Sequence, residues 1–454
     1  MDNNITRRTL LTAGTAVATS FFIKAQDKTG TKNLIIGDGE YKYECIHDWG
    51  MASLPSTIKY GNTHSISEDA QGHIYVHHTV HKDSPSSDSV VVFDDKGKFV
   101  RSFGPMFRGG AHGMHLRKEG NTEYLYFCDD KHGVITKRTL KGEEVWTIGY
   151  PQDSPIYQKG PGSTGPGGAA GLNYRPTNIA IAPNGDFWVG DGYGSYYMFH
   201  YSQKGNDYPK LLNTFGGPPA GQAAAGGGAA RGGGGAPGGG GARGGGGGRG
   251  PGGAPGGAGA AAPGGGAPPA LAIAGGAPGG GAPGGGGGGA RGGGGGARGG
   301  GAPRQPGQPG VPSNAPIESM NNPHGNMIDL RDPTKPILLV ADRGNRRIVR
   351  YTLDDKPIDV VAGTMQPCHF YERKGMIVVP DLSARVTLMD KDNKIVAHLG
   401  EGLMGNPPRT TEDRSTFVAG QFVNPHSAIF DRNGNIFVGE WVEIGRVTKL
   451  RKLA

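Results

Sequence analysis

Histidine is the residue type that carries chemistry in this chain. His64, His112, His324, His369 and His426 each open a short apolar run, and Thr177 opens a sixth run of the same kind. A single such histidine is most often a hydrogen-bonded structural residue, but five in register raise the prospect of a metal centre, because neutral imidazole is the commonest metal ligand. Three imidazoles that leave a fourth position open are best delivered about 120° apart. In a ring of six units that spacing falls on alternate units. The second, fourth and sixth units supply His112, His324 and His426, whereas the other alternate set is broken by Thr177. Three nitrogen ligands with an open position suit Zn²⁺ best, and ligand type alone leaves Cu, Fe and Ni open. His64 and His369 then remain to support the ligands or to touch a substrate, and a metal site built on them is the competing arrangement.

Such a constellation needs a scaffold that repeats. Short β-branched and aromatic runs bounded by Gly, Asn, Asp and Pro recur along the chain, without a convincing 3.6-residue amphipathic pattern. The unit begins near a Pro-His or similar pair, enters an apolar strand, turns at Asn-Gly or an equivalent, and runs into a second strand that ends in an acid. Residues 426–440 show it most plainly, closing on Glu440, and the other second strands end at His78, Asp129, Asp191, Asp342 and Asp381. The starts are 48, 65, 147, 45 and 57 residues apart, and the outlier falls to 52 once a 95-residue Gly-rich stretch is subtracted. Periods of about 40 to 50 residues with four short strands mark β-propeller blades.

A second landmark agrees. Units close on an apolar residue followed by glycine, at Phe103-Gly104, Ile148-Gly149, Phe215-Gly216, Ala362-Gly363 and Leu399-Gly400, while the sixth copy is missing from the carboxyl end and stands near the start as Trp49-Gly50. The expected fold is therefore all-β, a six-bladed propeller over 40–454 whose last blade is closed by the amino-terminal strand, which removes the open sheet edges. The innermost strand of each blade lines the channel, and that is what would gather the histidines around one axis.

Composition sharpens the same picture. Of 87 glycines, 49 lie within 216–310, and the segment offers almost no apolar side chain to offset about 1 to 2 kcal/mol of backbone entropy per ordered residue. It is expected to be a disordered Gly/Ala/Pro/Arg-rich insertion between blades 3 and 4, tolerated because loop-closure cost grows only logarithmically with length. A neutral repeat expansion is favoured for it over a tether or a polyanion-binding segment. The formal net charge of +8 has the same origin: Arg231, Arg243, Arg249, Arg291, Arg298 and Arg304 lie in the insertion, and Arg7, Arg8 and Lys24 in residues 1–25. The rest of the chain holds 38 basic and 38 acidic residues, so no nucleic-acid partner is expected.

Residues 1–25 place Arg7-Arg8 ahead of a weakly apolar Ala/Thr-rich run and resemble a twin-arginine export signal. A soluble exported protein, periplasmic or extracellular, is expected, with no stable membrane span because no stretch reaches 18 apolar residues. Cys45, Cys128 and Cys368 are too few and too far apart for a disulfide framework, and Cys45 and Cys128 sit in strand-like runs as small hydrophobes.

Pro323-His324-Gly325, Pro425-His426, Arg175-Pro176-Thr177-Asn178 and Asp191-Gly192-Tyr193, with Ala341-Asp342-Arg343-Gly344-Asn345-Arg346, give the chain a likeness to a known family. It resembles the NHL-repeat propeller of peptidyl-α-hydroxyglycine α-amidating lyase over nearly the whole ordered length. The resemblance implies zinc on His112, His324 and His426, with calcium a further candidate, Tyr193 as base and Arg343 as substrate anchor. It also implies a small-molecule or peptide-like substrate, a carbinolamide cleaved to an amide and glyoxylate. Two positions depart from the family: His78 stands where the family has an arginine, and Ser427 where it has an acid. His78, with His64 and His369, is accordingly a candidate for contact with substrate. A metal-dependent propeller enzyme acting on another small hydroxylated compound, or a non-catalytic NHL-type binding propeller, are the alternatives.

Overall fold

The computed structural model describes residues 24–26, 32–157, 174–219, 310 and 312–453. These build six antiparallel sheets and no α-helix. Blade 1 comprises strands Thr63–Glu68, Ile74–His78, Val90–Phe93 and Phe99–Phe103, and blade 2 comprises Ala111–Glu119, Thr122–Asp129, Val134–Thr139 and Glu144–Ile148. Blade 3 runs through Asn178–Ile181, Phe187–Gly190, Tyr197–Ser202 and Lys210–Gly216, and blade 4 through Pro323–Asp329, Ile337–Asp342, Arg347–Thr352 and Pro357–Val361. Blade 5 holds Tyr371–Arg373, Met376–Asp381, Arg385–Met389 and Ile395–Leu399. Blade 6 holds Pro425–Phe430, Ile436–Glu440 and Arg446–Lys452, and takes its fourth strand, Tyr43–Ile46, from the other end of the chain. The molecule is a six-bladed β-propeller.

Closure follows the expected permutation. Tyr43–Ile46 pairs antiparallel with the last strand, Ile46 opposite Lys449 and Tyr43 opposite Lys452. The sheet then continues outward through Lys32–Ile36 and Lys24–Gln26, so blade 6 has six strands and ordered structure begins before residue 40. The Arg7-Arg8 stretch and most of the Gly-rich insertion lie outside the described residues. At the flanks of that insertion the Met320 amide donates to the Gly217 carbonyl at 2.7 Å, so the two flanks are already neighbours.

Burial explains why the strands read as they do. The second and third strands of a blade are covered by neighbouring blades on both faces, and Val90–Phe93 is buried at every position, whereas the outermost Pro357–Val361 is exposed at alternate residues. Apolar side chains gather in six clusters, each shared by two adjacent blades: Val76, Phe93 and Trp49 meet Ile429 and Phe437 between blades 1 and 6, and Leu338 and Val349 meet Trp188 and Met198 between blades 4 and 3. Each fully buried aliphatic or aromatic residue contributes about 1.5 to 3 kcal/mol. The core is thus a ring of wedges around a polar axis.

The acids that end the second strands of blades 4, 5 and 6 have a structural task. Asp342 pairs with Arg347 at 2.7 Å and accepts the Asn321 amide, and Glu440 pairs with Arg446 at 2.6 Å and accepts the Val423 amide. Asp381 accepts the Met365 and Gln366 amides. In each case a carboxylate pins the loop that leads into its own blade's inner strand. His78 does the same in blade 1, its Nδ1 accepting from the Val80 amide at 3.0 Å and the Gly61 amide at 3.4 Å.

Candidate functional site

The inner strands carry a shared irregularity. In blades 1, 2, 4 and 6 the pairing of first and second strand slips between Thr63 and Ser65, Ala111 and Met114, Pro323 and Asn326, and Pro425 and Ser427. A β-bulge adds a residue on one strand and re-aims its side chain. The residues in the slips include His64, His112, His324 and His426, and their rings meet. The centroids of His112, His324 and His426 stand 4.8, 4.9 and 4.7 Å apart, and His64 lies 4.8 Å from His112 and 4.5 Å from His426. All four side chains are buried.

Three of the four are oriented alike. His112 Nδ1 lies 2.5 Å from the Thr177 carbonyl, His324 Nδ1 2.8 Å from that of Cys368, and His426 Nδ1 2.9 Å from that of His64. A carbonyl only accepts, so each Nδ1 carries the proton and each Nε2 keeps a lone pair. Such a bond from one ring nitrogen fixes the tautomer of a metal-ligating histidine. Every acceptor belongs to the start of the next blade, so the pattern repeats at every second blade around the ring.

Glycine makes the approach feasible. A Cβ on Gly113 would stand 2.6 Å from the Thr177 carbonyl oxygen, and one on Gly325 2.3 Å from that of Cys368. His-Gly is therefore a unit in which the histidine reaches for a carbonyl that the glycine lets come close. Ser427 takes the glycine's place in blade 6, and its hydroxyl accepts the Ile66 amide at 3.2 Å.

Burial keeps these imidazoles neutral. His426 is pushed down to about 3 by burial, with Arg343 adding to it, and His112, His324 and His64 are held well below the usual imidazole value chiefly by burial. His426 Nε2 has no hydrogen-bond partner. An orphaned, buried, neutral acceptor in a ring of others fits a divalent cation.

Tyr193 and Arg343 adjoin this ring. The Tyr193 hydroxyl lies 3.1 Å from His324 Nε2 and 3.3 Å from His112 Nε2, and Arg343 Nη2 donates to it at 3.0 Å. Burial raises the phenol's pKa and Arg343 opposes the rise. Arg343 is 7% exposed, donates through Nε to Asn322 Oδ1 at 2.6 Å, and pairs with no carboxylate among the described residues. The Arg175 guanidinium carbon lies 5.1 Å from the Tyr193 ring centroid, and Arg175 pairs with Asp130.

The other sequence candidates sit differently. His64 joins the ring, but its Nδ1 has no partner. His369 precedes the inner strand of blade 5 and is buried, its Nδ1 also without a partner, and it is held down to about 4 by burial and then by His115. His78 is taken up by the backbone amides of its own blade. Two groups of three bring their ligand atoms within 4.8 Å of one another: His64, His112 and His426, and His324, Cys368 and His426. Both share His426, and neither holds the whole predicted trio: His64 stands in place of His324 in the first, and Cys368 in place of His112 in the second.

Sequence reasoning passed over Cys368, Asn322, Arg409 and Trp441. The Arg409 guanidinium carbon lies 4.1 Å from the Trp441 ring centroid, and that ring is 6.3 Å from His426. One signal was available: asparagine stands two residues before the histidine at Asn62, Asn322 and Asn424. Asn62 and Asn322 accept from Arg409 and Arg343 respectively.

No family model matches the sequence, and no curated protein matches it. Among solved structures the chain is similar to a catalytically inactive variant of virginiamycin B lyase from Staphylococcus aureus with quinupristin, at 11% identity, 97% of both chains and a TM-score of 0.40. It is similar to a gluconolactonase from Xanthomonas campestris at 9% identity, over 90% of this chain and 91% of that one, with a TM-score of 0.45. A protein of unknown function from Bacteroides thetaiotaomicron gives 9% identity, 95% and 87% coverage, and a TM-score of 0.46.

Proposed function

We propose that this chain is an exported, zinc-dependent lyase that cleaves a carbinolamide to an amide and glyoxylate, with His112, His324 and His426 as ligands, Tyr193 as base and Arg343 as substrate anchor. The observation that carries the reading is the repeated Nδ1-to-carbonyl bond on alternate blades, which leaves three Nε2 lone pairs at the axis beside one phenol and one guanidinium without an acid. A bound zinc ion supplies Lewis acidity toward a developing alkoxide.

The chain's own groups account for the rest. Arg343 offers a planar fork to a carboxylate, and since no protein acid occupies it, an anionic substrate meets a buried cation already in place. The substrate hydroxyl gives its proton to the Tyr193 oxygen, the carbon–nitrogen bond breaks, the carbonyl of glyoxylate forms, and the departing amide nitrogen takes that proton from Tyr193, which restores the base. When the Nε2 lone pairs of His112 and His324 are engaged by a cation, the Tyr193 hydroxyl loses both acceptors and keeps Arg343 as donor. That change favours the phenolate, which a base requires.

A second reading keeps the metal centre and changes the substrate to another small hydroxylated compound. It is favoured by His78, which serves the backbone where the family has an arginine, and by Arg409 over Trp441, which brings a guanidinium from another blade. Incubating the zinc-loaded protein with α-hydroxyhippurate separates the two. Release of glyoxylate that disappears in His324→Ala supports the lyase, whereas a zinc-loaded protein that releases none rejects it and leaves the second reading. Export is checked by replacing Arg7 and Arg8 with Lys, which should strand the chain in the cytoplasm.

A further inference from the structure

Cys368 is the one thiol beside the histidine ring. Its Sγ and the ligand nitrogens of His324 and His426 lie within 4.8 Å of one another. The residue is fully buried. Its carbonyl accepts the hydrogen bond from His324 Nδ1, so a single residue both orients one ligand histidine and presents a sulfur to the same space. Arg343 Nη1 stands 3.6 Å from the sulfur, and the thiol's contact with the Gln366 carbonyl is 3.5 Å long. Beside it, His426 Nε2 is buried and unpartnered.

We propose that Cys368 is a fourth protein ligand of the centre, its thiolate closing the position that the three histidines leave open and Arg343 balancing its charge. This rests on the metal reading above. Around a tetrahedral zinc ion, nitrogens at about 2.0 to 2.1 Å and sulfur at about 2.3 Å stand about 3.5 Å apart, so the separation seen here closes by side-chain adjustment. On coordination the S–H bond gives up its proton to solvent, the metal–sulfur bond forms, and nothing is oxidised or reduced. A thiolate in the set favours zinc and other soft ions over magnesium and calcium. Arg343 serves either the thiolate or a substrate carboxylate, so arrival of an anionic substrate withdraws the guanidinium from the sulfur and frees the position for the reacting hydroxyl.

Cobalt substitution of the full-length protein tests this without an activity measurement. The chain is stripped with a chelator and reloaded with Co²⁺, whose visible bands report binding and whose near-ultraviolet charge-transfer band reports a thiolate ligand. The wild type is expected to show both, Cys368→Ser to lose the charge-transfer band while keeping the visible bands, and Cys128→Ser to keep both. Visible bands without charge transfer in the wild type overturn the thiolate and leave the histidine centre standing. A charge-transfer band that survives Cys368→Ser overturns it as well, and failure to bind cobalt at all overturns the thiolate and the metal reading together. The wild-type spectrum decides the matter even where a variant fails to fold.

Discussion

Blades 2, 4 and 6 and blades 1, 3 and 5 are built from one repeat and treat the same position in opposite ways. In the first set a histidine donates a hydrogen bond from Nδ1 to the next blade and turns Nε2 inward. In the second set the start of the blade provides the carbonyl that accepts this bond, from Thr177 and His64 at the repeat position itself and in blade 5 from Cys368, one residue before His369. One set presents side chains and the other presents backbone. His64 shows that residue type does not decide the role: it is a histidine in the ring, yet its Nδ1 is unpartnered, and it acts as acceptor through its main chain. The lesson is that a three-fold site can arise from a six-fold scaffold when neighbouring blades divide donor and acceptor between them.

The strongest challenge to this division is ligand deletion. His112→Ala, His324→Ala and His426→Ala are each expected to abolish stoichiometric metal, read by elemental analysis, while His64→Ala and His369→Ala retain it. Loss of metal in His64→Ala with retention in His324→Ala would falsify the alternate-blade assignment and hand the site to His64, His112 and His426. Tyr193→Phe comes next. Removing a positioned base costs about 10² to 10⁴ in rate, so kcat for glyoxylate release should fall by that factor with metal content unchanged.

Smaller effects sharpen the picture. Gly325→Ala forces a Cβ to within 2.3 Å of the Cys368 oxygen and moves the acceptor of His324. Outer partners of this kind contribute about 10- to 100-fold in metal affinity, which a competition titration measures. The same substitution at Gly205, whose Cβ position is open, should leave affinity unchanged. The mildest test concerns a histidine buried without the prospect of coordination. His77 in blade 1 packs edge-on against the stacked rings of Phe107 and Phe127, and burial, with His78 adding, pushes it down to about 3. The unfolded chain binds a proton from about pH 6.5 downward that the folded chain refuses until about 3, so stability is lost as pH falls through that window. The slope is about 1.4 kcal/mol per pH unit for one such group. His77→Leu should flatten the Tm profile of metal-free protein between pH 6.5 and 4.5, and an unchanged slope would show that His77 does not titrate this way.

Much of this was legible in local pattern. Apolar runs with turn residues at a repeating interval located all six blades, because a strand covered on both faces must be apolar throughout and a tight turn must be Gly, Asn or Asp. The displaced Trp49-Gly50 landmark announced the closure by Tyr43–Ile46. His112, His324 and His426 were named by counting blades, and their rings do converge. The two outer strands, Lys32–Ile36 and Lys24–Gln26, went unread because the expected four-strand blade was already complete. His78 was read as a substrate contact because it stands where the resembled family has an arginine, and in the structure its Nδ1 accepts from two backbone amides, the task that carboxylates perform in blades 4, 5 and 6.

Spacing along the chain is enough to give the number of blades, their permutation and the histidines that open five of the six runs. Tertiary structure alone decided which ring nitrogen carries a proton, that Arg343 lacks an acid partner among the described residues, and that Cys368 stands beside His324 and His426. These are relations between blades, joining residues 44, 65 and 362 positions apart. A hydrogen bond is set by a few tenths of an ångström between groups on separate sheets, and no local periodicity encodes that distance; it follows from how the six wedges pack.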